Sequence, residues 1–199
     1  MNRLLLVVLG GLLLTTCTHR WTAIPQNVPS YEGCEPLHGG PQMLKVPGTT
    51  SSYIIVEDCS VMDRERVSIA IQTFIKKWEE KFPTRIADNK KVRAALDSLL
   101  STFNSEEKFA NAYTVDGMYG EKLSLGGLTL SPGWIWVKAH PGDRLCQTSF
   151  IHELIHVAIW AIKKEDGDPD HLGSKYPGWT LEHNIIIQDT KKILCDWGI

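Results

Sequence analysis

The sequence predicts an α+β domain in which helices come first, a small antiparallel sheet follows, and a strongly apolar helix bearing two histidines comes after it. Three observations carry this. Apolar residues recur at helical spacing across residues 61–82. Between Tyr113 and Lys138 the pattern changes to short β-branched and apolar runs punctuated by Gly and Pro. Helical spacing then returns from Ser149 onward. A content of 43% hydrophobic and 22% charged residues suits one globular domain rather than a disordered chain.

The first residues stand apart from the fold. Met1-Asn2-Arg3 gives a positive start, and Leu4 to Leu14 is an apolar run of signal-peptide length, too short to span a bilayer comfortably. It ends in Leu14-Thr15-Thr16-Cys17, which resembles a bacterial lipoprotein signal, with Thr16 where Gly, Ala or Ser is usual. The resemblance implies that residues 1–16 are removed and that Cys17 becomes a lipid anchor. Thr18 is not the Asp of an inner-membrane retention signal. The implied location is therefore the bacterial cell envelope, at the outer membrane facing the periplasm. A lipid is then the only membrane contact expected.

Residues 17–50 read as a tether and an irregular segment, because Pro25, Pro29, Pro36, Pro41 and Pro47 prevent a regular helix. A single domain is expected over 51–199. Tyr53-Ile54-Ile55-Val56 suits a strand. From Val61 to Phe82, Val67, Ile71, Phe74, Ile75, Trp78 and Phe82 form one helical stripe, which Pro83 ends. A second helix is expected over Val92–Phe103, with Ala95, Leu99 and Phe103 on one side. Leu123-Ser124-Leu125 and Leu128-Thr129-Leu130 alternate around Gly126-Gly127, and Ser131-Pro132-Gly133 turns into Trp134-Ile135-Trp136-Val137. The motif helix ends near Lys164, and a last helix runs from about Leu181 to Leu194.

Cys34, Cys59, Cys146 and Cys195 remain once Cys17 is set aside, an even number that suits an oxidising compartment. The favoured pairing is Cys34–Cys59 and Cys146–Cys195: the first two flank an N-terminal segment and the last two bracket the chemical region. No CxxC spacing occurs, which argues against cysteine-bound zinc. A net charge of −2 and the absence of any Lys/Arg run point away from nucleic acid.

The chemistry lies in Ser149-Phe150-Ile151-His152-Glu153-Leu154-Ile155-His156, which contains HExxH. Histidines four apart on a helix project from one face and can share an ion. Glu153 sits beside the first of them, where a carboxylate can deprotonate water activated by zinc. Chance produces such a pentapeptide in a chain of this composition on the order of one time in a hundred. The surrounding Ile151, Leu154, Ile155, Ala158 and Ile159 make the helix one for burial, where two imidazoles and a carboxylate are costly unless satisfied.

Zinc in a catalytic site normally takes a third protein ligand. His171 leads, fourteen residues beyond His156 and across a turn made by Gly167 and Pro169. Glu182 is the runner-up, followed by His183 and Asp170; those that do not ligate are placed to orient a ligand imidazole. Over Phe150 to Trp179 the chain resembles the SprT-like, Spartan-type branch of the zincin metallopeptidases in its HExxH-x14-H spacing. His171-Leu172-Gly173 departs by one residue from the His-Gly of that branch, and Tyr176 or Trp179 supplies its following aromatic. The resemblance implies a zincin-like domain, with the strand Trp134 to Val137 lining a substrate cleft. It does not imply the DNA-linked role of those enzymes.

Tyr176 is a candidate oxyanion stabiliser, and Trp134, Trp136, Trp160 and Trp179 gather around the motif in sequence. The expectation is a Zn2+-dependent peptidase. Its substrate would be a peptide or protein, including peptidoglycan cross-bridges. The alternatives are an exported metal-binding lipoprotein without turnover and a zinc amidase acting on a non-protein cell-wall substrate.

Overall fold

The computed structural model describes residues 42–56, 63–104, 114–116, 122–124, 126–139, 142–165 and 178–199. Cys17, Cys34, Cys59, Asp170, His171 and Tyr176 lie outside the described residues. In chain order the elements are β1 (Gln42–Lys45), β2 (Tyr53–Val56), α1 (Arg64–Lys81), α2 (Ile86–Leu96) and β3 (Leu100–Asn104). After them come β4 (Thr114–Asp116), β5 (Lys122–Ser124), β6 (Gly127–Ser131) and β7 (Trp134–Lys138). A short 3-10 turn, Leu145–Gln147, leads into α3 (Phe150–Lys163), and α4 (Leu181–Asp196) ends the chain.

The class is α+β, but the main sheet is mixed rather than antiparallel. Its order is β1-β2-β3-β7-β6, with β2, β3 and β7 parallel and the two outer strands antiparallel to their neighbours. The expected turn at Pro132-Gly133 does join β6 to β7. The two runs that alternate around Gly126-Gly127 take different partners, since β5 pairs with β4 and β6 with β7. The sheet also begins earlier than position 51: β1 belongs to it, so part of the segment read as irregular is a strand.

The helix expected over Val92–Phe103 is shifted. It runs from Ile86 to Leu96, and Phe103 lies on β3. Residues four apart share a face in a helix and also in a strand, so the spacing of Ala95, Leu99 and Phe103 could not separate the two. Within β3, Ser101 and Phe103 are buried on the helix side, and Phe103 meets Phe150 of α3 at 5.5 Å between ring centroids.

α1 follows its sequence stripe. Val67, Ile71, Phe74, Ile75 and Trp78 are buried, while Lys77 pairs with Glu80 at 2.7 Å on the outer side. Asp63 caps it by accepting the Glu65 N–H at 2.8 Å. Phe82, the residue before Pro83, leaves the helical region and ends it. α3 is the hub: Ile151, Leu154, Ile155, Val157, Ala158 and Ile159 are all essentially inaccessible, with α2, α4 and β6 packed around them. A helix apolar on every side must be enclosed in this way. It ends at Lys164, whose left-handed φ of 69° stops the helix where the sequence placed its end.

Cys146 and Cys195 are joined, as expected, with 5.4 Å between their Cα atoms. The bridge ties the end of α4 to the turn that leads into α3, and the Cys146 N–H donates to the carbonyl of the terminal Ile199 at 3.2 Å. Among the described residues no helix is long and apolar enough to cross a membrane.

Candidate metal centre

His152 and His156 lie one turn apart on α3, and their Nε2 atoms approach to 3.1 Å. Two nitrogens bound to one tetrahedral zinc through bonds of 2.0–2.1 Å are about 3.3 Å apart. By donor type and separation the pair therefore fits two corners of such a site. His156 is buried and His152 half-buried, so the pair meets solvent at one end only.

Glu153 is buried, in the first turn of α3, where the helix dipole favours a negative charge. Its Oε2 accepts a hydrogen bond from Thr129 Oγ1 of β6 at 2.9 Å, and the same hydroxyl lies 3.3 Å from the Glu153 carbonyl oxygen. Strand and helix approach closely here. A Cβ at Gly127 would stand 2.7 Å from Glu153 Oε1 and 2.9 Å from its Cγ, so only glycine fits without displacing the carboxylate. Ser149 completes the seam by donating its hydroxyl to the Gly126 carbonyl, which also accepts the Lys138 N–H.

Trp179 forms a wall beside the imidazoles. Its ring centroid is 5.1 Å from that of His152 and 5.0 Å from that of His156, and its indole N–H donates to Asn184 Oδ1 at 2.9 Å. At 3% exposure it is an interior residue.

His183 turns away from the pair. Its Nδ1 accepts the Thr180 N–H at 3.0 Å, closing a capping box at the start of α4. Its ring stacks on Trp78 at 5.3 Å and meets Phe82 and Trp179 edge-on. Burial, then the charge of Arg85, push its pKa down to about 4, so it is neutral with its proton on Nε2. Glu182 is exposed at the first turn of α4, and a hydrogen bond with Thr180 holds its carboxyl below the ordinary range. Neither residue completes a three-ligand group with His152 and His156, and no such group occurs among the described residues. The leading third ligand, His171, falls outside the described residues, as do Asp170 and Tyr176.

The strand expected to line a cleft is placed differently. Trp134 to Val137 form β7, which has β3 on one side and β6 on the other and so offers no edge to a further strand. Among the described residues, the sheet edge next to α3 belongs to β6. Lys138 N–H donates to the Gly126 carbonyl, so by antiparallel alternation Gly127 and Thr129 turn their backbone groups away from β7. Sequence reading missed Gly127, Thr129 and Ser149 as site residues, since their role depends on a strand meeting a helix more than twenty residues later in the chain. The doubled glycine before Thr129 was the one local sign of close approach.

Compared with protein-family models, curated proteins and solved structures, the chain matches none of them.

Proposed function

We propose that this protein is a zinc-dependent hydrolase that cleaves amide bonds in peptides, with His152, His156 and His171 as metal ligands and Glu153 as general base. One observation carries the reading: two Nε2 atoms 3.1 Å apart beside a buried carboxylate that a neighbouring strand holds in place. A zinc ion in that position supplies Lewis acidity, polarising a carbonyl and acidifying water.

The chain's own groups do the rest. Glu153 takes the proton that water gives up and returns it to the departing amine. Thr129, bound to Oε2, fixes the direction in which the carboxylate faces. An envelope location, read from the leader, makes cell-wall cross-bridges a natural substrate class.

The test is metal content by mass spectrometry on the full chain in mild detergent, for wild type, His156→Ala and His171→Ala, followed by a peptide-cleavage assay with Glu153→Gln. About one zinc per wild-type chain, lost in both histidine variants, supports the site. Zinc retained in His171→Ala removes that residue from the ligand set. Zinc bound without cleavage in either wild type or Glu153→Gln leaves a metal-binding protein that does not turn over. No zinc in the wild type after exposure to the metal overturns the proposal.

A further inference from the structure

The Nε2 atoms of His152 and His156 lie 3.1 Å apart, a hydrogen-bonding separation in which the tautomers set donor and acceptor. The rotamers open to a histidine on a helix include ones that would separate the pair. Packing that disfavours those rotamers arranges the ligands before an ion arrives. Such preorganisation raises affinity by removing the ordering cost from the binding step.

We infer that Trp179 is the positioning residue for the His152–His156 pair: a single indole that touches both imidazoles and fixes their convergence. This rests on the zinc-site reading above and deepens it. The contacts are nearly equal, with centroid separations of 5.1 Å to His152 and 5.0 Å to His156 and both rings tilted against the indole. Rotation of one imidazole away from its partner on that side runs into Trp179.

The wall is itself held at three points. Its indole N–H is committed to Asn184 Oδ1 at 2.9 Å, which sets the rotation of the ring. His183 lies edge-on to it at 6.0 Å and is stacked in turn on Trp78 of α1. The residue after Trp179 is pinned as well, because the Thr180 N–H donates to His183 Nδ1. Ordinary core filling would ask only for bulk here. A donor-anchored aromatic that meets both candidate ligands does more than fill space.

The test compares the wild-type full chain with Trp179→Leu, Trp179→Phe and Asn184→Leu, each checked for native folding by circular dichroism. Zinc affinity is measured by competition with a chromogenic chelator. Independently of metal, histidines labelled with 13C at Cε1 report by NMR on the order of the two rings in the metal-free protein.

Trp179→Leu is expected to weaken zinc binding by about 10–100-fold, the range typical of groups that orient metal ligands. Trp179→Phe, which keeps a ring but loses the bond to Asn184, and Asn184→Leu, which loses the bond and keeps the indole, should both fall between wild type and Trp179→Leu. In the metal-free protein the His152 and His156 resonances should be ring-shifted and motionally restricted in wild type and Trp179→Phe, and mobile in Trp179→Leu. Wild-type ring order in a folded Trp179→Leu overturns the inference, whatever the zinc result. Wild type that binds no zinc, yet loses ring order in Trp179→Leu, upholds the positioning role and overturns the zinc function instead.

Discussion

Thr129 Oγ1, on an outer strand of the sheet, donates a 2.9 Å hydrogen bond to Glu153 Oε2, on the helix that carries both histidines. Strand and carboxylate are therefore one unit. Removing the hydroxyl leaves a buried charge with a partner missing, and a hydrogen bond to a charged group contributes about 1.5–3 kcal/mol. Thr129→Val is expected to lower kcat roughly 10–100-fold in peptide cleavage with zinc content unchanged, and Thr129→Ser to recover most of the rate. Equal kcat for Thr129→Val and wild type would show that the bond does not orient the base.

The glycine beside that bond should tolerate nothing larger. A Cβ at Gly127 would lie 2.7 Å from Glu153 Oε1, whereas one at Gly126 meets Ser149 Cβ at 3.6 Å, an ordinary contact. Gly127→Ala is expected to cost about 1–3 kcal/mol, read as a lower urea midpoint, and Gly126→Ala far less. Similar midpoints for the two variants would contradict the close approach.

Burial holds His183 at a pKa of about 4 against an ordinary 6.5, and this sets a pH dependence of stability. The folded state binds fewer protons than the unfolded one between those values. The stabilisation is thus full above about pH 6.5 and is lost as the pH falls toward 4, amounting to roughly 3 kcal/mol at most. Urea denaturation from pH 7 to pH 4 should show that decline, with a shallower slope in His183→Phe. Parallel slopes in the two proteins would assign the acid sensitivity to other groups.

The Cys146–Cys195 bridge spans a sequence separation of 49 and closes a loop containing every candidate ligand. Loop-closure entropy for that length is about 4 kcal/mol, the amount by which Cys195→Ser should destabilise the fold. Thermal unfolding with and without reductant should bring wild type to the level of the variant. A wild type insensitive to complete reduction would show that α4 docks without the bridge.

Much of the candidate site was legible because its logic is local. His152, Glu153 and His156 occupy one helical turn, and the apolar residues around them require that turn to be buried, so periodicity located the helix that carries all three. The stripe of α1 and the end of α3 at Lys164 were legible for similar reasons, and the pairing of Cys146 with Cys195 from the places of the two cysteines on either side of the motif. Spacing failed at Phe103, where an interval of four satisfies helix and strand alike, and at β5, whose alternation gives no clue to its partner.

By itself, then, the sequence determined which residue types could share an ion and that their helix must lie inside. Only tertiary structure decided what surrounds them. The parallel pairing of β3 with β7 removes the expected strand from the sheet edge and puts β6 there, bringing Thr129 and Gly127 to Glu153. The packing of α4 decides that His183 faces Trp78 while Trp179 faces the two imidazoles. Both outcomes rest on contacts between segments far apart in the chain. Such contacts form because burial and hydrogen bonding together repay the entropy of closing long loops, a balance that no local pattern records.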